Sequence, residues 1–98
     1  MPVAANGKII LVPYAIYPFT IDQLFGLKTG GGSITMDIQI NGVSIPGLSG
    51  LNITTTLQNP LAANLNAVGV GDEVAAVLSN NASATNLVFA MQATETTP

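Results

Sequence analysis

The side chains able to do chemistry are few: Asp22, Asp37, Asp72, Glu73 and Glu95 are the only carboxylates, and Lys8 and Lys28 the only cations, in 98 residues. There is no His, Cys or Arg, so imidazole bases, thiolate nucleophiles and guanidinium phosphate clamps are excluded by inventory. Carboxylate pairs are the remaining acid/base option. Asp72 and Glu73 are adjacent, and neighbours on a strand point to opposite faces, so the two cannot flank one substrate. They read instead as an acidic turn ahead of a strand, and Asp37 as a solitary surface carboxylate. A calcium loop needs several oxygen ligands at set spacings, which Gly71-Asp72-Glu73 does not provide. Gly30-Gly31-Gly32 lacks the Lys-Ser/Thr pair of a phosphate loop. The sequence therefore predicts no enzyme, no metal and no cofactor.

The scarcity of charge is itself informative. A domain of this size exposes about 5,200 Å², which allots one charge to every ~750 Å² against about one per 200 Å² on an ordinary surface. Such a neutral exterior favours association, and the first expectation is a homo-oligomer. The net charge of −3 removes the counterion-release term that drives nucleic-acid binding. No apolar run is long enough to span a bilayer, and Ile9 to Val12 stops at Pro13. Membrane insertion is thus not expected, and the Met1-Pro2 start shows no signal-peptide pattern. Asn52-Ile53-Thr54 and Asn81-Ala82-Ser83 match the glycosylation acceptor pattern; without a secretory signal they read as chance.

The elements that must position these residues are strands. Ile34, Met36, Ile38 and Ile40 alternate with Thr35, Asp37, Gln39 and Asn41, a period-two pattern. Asn41-Gly42 then gives a type I′ hairpin signal, with Val43 to Ile45 returning along the first strand. Leu51 to Thr56 is a second amphipathic run. Gly69 and Gly71 frame a turn into a strand from Val74 whose Val74, Ala76 and Leu78 share a face. Ser79-Asn80-Asn81 reads as a turn, followed by Leu87, Phe89 and Met91 alternating with Val88, Ala90 and Gln92. Lys8 to Ile16 reads as a strand with Pro13 at an edge or bulge; Ile21 to Lys28 reads as a strand in preference to one helical turn, ending at Thr29-Gly30-Gly31-Gly32, whose glycines read as a hairpin loop. Leu61 to Val68 is open between strand, loop and short helix.

The prediction is an all-β protein: one antiparallel β-sandwich or jelly-roll-like domain of seven to eight short strands over residues 7–94. An N-terminal arm at 1–6 and a disordered tail at 95–98 flank it. Phe25 and Phe89 are assigned to the core. Tyr14 and Tyr17, three apart in a strand, fall on opposite faces and so cannot form one sugar-stacking platform. The candidate ligand-contact loops are 46–50, with Pro46, Leu48 and Ser49, and 79–84, with Asn80, Asn81 and Ser83.

Several segments carry a resemblance. These are Asp22-Gln23-Leu24 with Leu27-Lys28-Thr29, the glycine turn, Ser33 to Gly42, Gly47 to Leu51, Val70 to Val74 and Ser83 to Leu87. In this order they resemble the small β-sandwich domains of tailed-bacteriophage fibre, spike and head-surface (decoration) proteins, over about residues 7 to 93. The resemblance implies a structural protein on the virion surface, made in the host cytoplasm, commonly trimeric, contacting other virion proteins and serving decoration or host attachment. The competing expectation is a module that binds a host glycan or surface protein through its loop tips.

Overall fold

The computed structural model describes residues 7–64 and 66–95. The predicted arm at 1–6 and residues 96–98 of the predicted tail lie outside them. The organising strand is β3 (Gly31–Ile40), whose period-two pattern buries Ile34, Met36, Ile38 and Ile40 and turns Thr35, Asp37 and Gln39 the other way. One edge of β3 carries β7 (Val74–Thr85); the other carries β4 (Val43–Ser44) and, further along, β5 (Leu51–Ile53). On the far side of β7 lies β1 (Gly7–Val12), completing a five-stranded sheet. A second sheet has the order β6 (Ala67–Val68), β2 (Phe19–Lys28), β8 (Val88–Glu95). All pairings are antiparallel.

The protein is therefore all-β, with eight strands in two antiparallel sheets among the described residues. Between them Ile21, Leu24 and Leu27 of β2 join Ile34, Met36 and Ile38 of β3, with Ile53, Val74, Ala76, Leu78 and Leu87 in the same buried cluster. Each fully buried Leu or Ile contributes roughly 1.5–3 kcal/mol relative to its exposed state. The chain passes between sheets at Thr29–Gly30 and again at Asn86–Leu87, and these crossings touch: the Gly30 N–H donates to the Thr85 carbonyl at 2.7 Å.

The second edge of β2 is covered by chain with little regular structure. The Leu24 N–H donates to the Pro60 carbonyl, Leu27 and Gln58 exchange both backbone bonds, and the Ile21 N–H donates to the Asn66 carbonyl, each at 3.0 Å. Pro60 has no N–H to return. That explains why 61–68 carries no clear periodicity: its described residues satisfy the backbone of β2 by separate contacts, and among them only Ala67–Val68 is strand.

Several boundaries differ from expectation. Residues 79–81 do not turn. β7 runs through them to Thr85, with Asn80 (φ 52°) and Ser83 (φ 58°) in the left-handed region and register shifts opposite Ser33; the turn-forming tolerance of Asn is spent on bulges. The glycine run is not a loop either, because Gly31 and Gly32 belong to β3. Gly32 has φ +66°, and a Cβ there would overlap the carbonyl oxygens of Ala82 and Ser83. Only glycine lets the two backbones come this close. β1 stops at Val12, so residues 13–18 form a loop. Phe25 is exposed rather than core, because the irregular pairing of β2 between Phe25 and Lys28, with Gly26 at φ 64°, brings Leu24 and Leu27 inward together. Thr94 and Glu95 pair with Thr20 and Phe19, which places residue 95 in β8 and not in the tail.

Candidate interaction surfaces

The structure does not bring the predicted loop residues together. Leu48 is 0% exposed; its N–H donates to the Ile45 carbonyl and its carbonyl accepts from the Ile38 N–H, both at 2.9 Å. It anchors the core and cannot touch a ligand. Pro46 is half-buried, its carbonyl bonded to the Ala63 N–H, while Ser49 is exposed. Asn80, Asn81 and Ser83 are exposed, but on a strand, with Asn81 Oδ1 accepting from the Ala84 N–H. The two groups flank opposite edges of β3. Ile38 and Ser33, their contacts on that strand, stand five residues or roughly 17 Å apart.

The carboxylates are dispersed. Asp37 Oδ2 accepts from Gln39 Nε2 at 2.8 Å and from Ser44 Oγ at 2.6 Å. Its Oδ1 is buried without a partner among the described residues, so Asp37 is less solitary and less exposed than its sequence setting suggested. Within the smaller sheet, Asp22 of β2 accepts from Thr94 Oγ1 of the adjacent β8. Asp72 and Glu73 stand side by side ahead of β7, yet engage different groups. Asp72 accepts from the Gly69 N–H at 2.7 Å and from Asn41 Nδ2 at 2.8 Å, whereas Glu73 pairs with Lys8 Nζ at 2.8 Å. The Gly69 amide, then the Asn41 amide, hold the Asp72 carboxyl below its ordinary value. Among the described residues no three acidic side chains converge where a metal ion could sit, and no helix is long and apolar enough to cross a membrane.

Two apolar surfaces are better formed. At the end of the larger sheet where β1 and β3 finish and β7 begins, three loops are tied together. Asn41, with Gly42 the two-residue link from β3 to β4, exchanges backbone and side-chain bonds with Asp72 and Glu73. Ala15 donates to the Asp72 carbonyl at 3.0 Å and accepts from the Gly71 N–H at 2.8 Å. Around these ties Tyr14, Ile16 (74% exposed), Tyr17, Val43 and Val70 all stand in solvent, and the Tyr14 ring lies over Gly71. The two tyrosines thus share one exposed loop instead of opposite faces of a strand. The signal missed in the sequence was the bracketing of Tyr14 to Tyr17 by Pro13 and Pro18, which limits ladder pairing at both ends.

The second surface is a cleft of about 410 Å³ lined by Ile9 and Leu11 of β1 and by Leu87, Val88 and Phe89 at the start of β8. Its side chains are wholly apolar, so no polar side chain lines it to orient a small polar ligand. No family model matches the chain, and no curated protein or solved structure matches it.

Proposed function

We propose that this chain is a structural protein of a tailed-phage virion surface, serving decoration or a fibre or spike, and that it works as an assembly of its own copies. The observation that carries the assembly is the exposed group Tyr14, Ile16, Tyr17, Val43 and Val70 on a molecule with seven charged residues. A monomer leaves these side chains in water and lacks the charge density that opposes association. The phage assignment is supported by the ordered segments from Asp22 to Leu87 that resemble those domains. Sedimentation of the full chain at micromolar concentration tests the assembly: an oligomer supports it, and a stable monomer of 10.0 kDa refutes it.

A second reading is favoured by one feature, the two exposed tyrosine rings in one loop. Rings with a wet hydroxyl and an apolar face suit stacking against sugars, which would make the 13–18 loop a host-glycan contact. A glycan array with the wild-type chain and the Tyr14→Ala/Tyr17→Ala variant separates the readings. Binding lost in the variant supports attachment; no binding by the wild type leaves a scaffold.

A further inference from the structure

Edge strands normally carry a device against further pairing: a charged side chain, a proline, or a bulge on the open side. From Val88 to Thr94, β8 has no charge, no proline and no glycine. One edge of β8 pairs with β2; among the described residues no strand pairs with the other. Beside its first residues lies the apolar cleft shared with Ile9 and Leu11.

The strand is also complementary to itself. Turned antiparallel about Met91, it sets Val88 against Thr94, Phe89 against Ala93 and Ala90 against Gln92, a larger side chain facing a smaller one on each face. The parity is right as well. Phe89 and Met91 pack against the core, and Ala93, itself exposed, shares their face by alternation and pairs with buried Ile21, while Ala90 and Gln92 lie on the other face and are exposed; in this register each face of one copy meets the same face of the other. Glu95, the one charge on the strand, passes the end of the paired stretch opposite Leu87, about 27 Å from its twin.

We propose that the open edge of β8 is the contact through which a second copy of this chain binds, by antiparallel β8–β8 pairing about a twofold axis at Met91. The two three-stranded sheets become one of six strands, and the partner's Ala93 to Glu95 reaches the mouth of the cleft. The contact is isologous, so the smallest assembly it makes is a dimer rather than the trimer implied by the family likeness. The inference rests on the self-association proposed above but names a surface away from the 13–18 loop.

The full chain has no cysteine, which allows a direct test. Opposed residues of an antiparallel pair have Cα atoms about 4.5–5.5 Å apart, within disulfide range. Met91→Cys should therefore oxidise to a covalent dimer in most of the protein, whereas Thr55→Cys, exposed elsewhere, should not. In parallel, Ala90→Lys/Gln92→Lys sets lysines against lysines across the axis and should lower the sedimenting mass of the wild-type assembly at least twofold. A monomeric wild type overturns both this inference and the assembly. An assembled wild type whose Met91→Cys variant does not cross-link overturns the β8 contact alone. So does dissociation by Ile16→Lys/Val70→Lys but not by the β8 lysines, which moves the interface to the loops around Asn41. Should the lysine variant fail to fold, the cross-linking result decides.

Discussion

Gly32 sits so close to Ser83 that a Cβ at Gly32 would overlap the Ser83 carbonyl, and the Ala82 carbonyl with it. The contact sets β3 against a bulged stretch of β7, and φ +66° adds the cost of a left-handed side chain. Gly32→Ala should thus lower stability by at least ~2 kcal/mol. Gly42→Ala, where nothing lies within 4 Å and only φ +81° is at issue, should cost about 1 kcal/mol. Urea unfolding midpoints of the two variants give the comparison, and equal losses would show the close approach to be unimportant.

Leu48 separates a core role from a binding role. Its side chain is fully buried, so Leu48→Ala should cost about 2–5 kcal/mol, and Ser49→Ala less than ~0.5 kcal/mol. Thermal unfolding followed by circular dichroism reads both.

Asn41 holds a left-handed φ of 51° while its side chain donates to Asp72 and accepts from the Glu73 N–H at 2.9 Å. Asn41→Ala should lose about 1–3 kcal/mol, combining the backbone cost with the lost bonds. Asn41→Gly relieves the backbone but not the bonds, and should fall between the wild type and the alanine variant. Chemical denaturation of all three orders them.

Asp72 makes the same junction acid-sensitive. Its carboxyl is held below the unfolded value of 3.8. Its contribution is therefore present above that pH and is lost as pH falls through the lower folded value. Acid titration should release the Asn41 side-chain amide below about pH 4, seen as a shift of its NMR signals, and Asp72→Asn should abolish the step. With no His in the chain, no histidine contributes to the pH dependence of stability between pH 5 and 8.

Much of the fold was legible because β3 states its own geometry. Ile34 to Ile40 alternate without interruption, and Asn41-Gly42 fixes both the hairpin and its register through the Ile40–Val43 pair. The start of β7 and the alternation of β8 were equally plain. What failed were residues whose local chemistry allows two uses. Asn80 and Ser83 accept left-handed φ, which serves a bulge as well as a turn, and the choice was made by the glycines of β3, about fifty residues earlier. Leu48 looked like a loop tip because its neighbours are Pro, Gly and Ser; its burial depends on bonds to Ile38 and Ile45 that no local pattern encodes. The exposed loop of Tyr14 and Tyr17 was hidden by apolar residues that match a strand with Pro13 at its edge until Pro18 is weighed as the second bracket. The β8 edge could not be seen at all, since which strands end a sheet is a property of topology.

The order of pairing also dictates when the molecule becomes a molecule. β7 supplies the partner for both β1 and β3, and β8 the longer partner of β2, so the larger sheet closes only once Val74–Thr85 has been made and the smaller one only once Val88–Glu95 follows. Before then Ile34, Met36, Ile38 and Ile40 face no completed sheet and wait on contacts roughly forty residues away, the kind of distant closure that slows folding. A nascent chain stalled before Val74 thus lacks the one strand that joins β1 to β3.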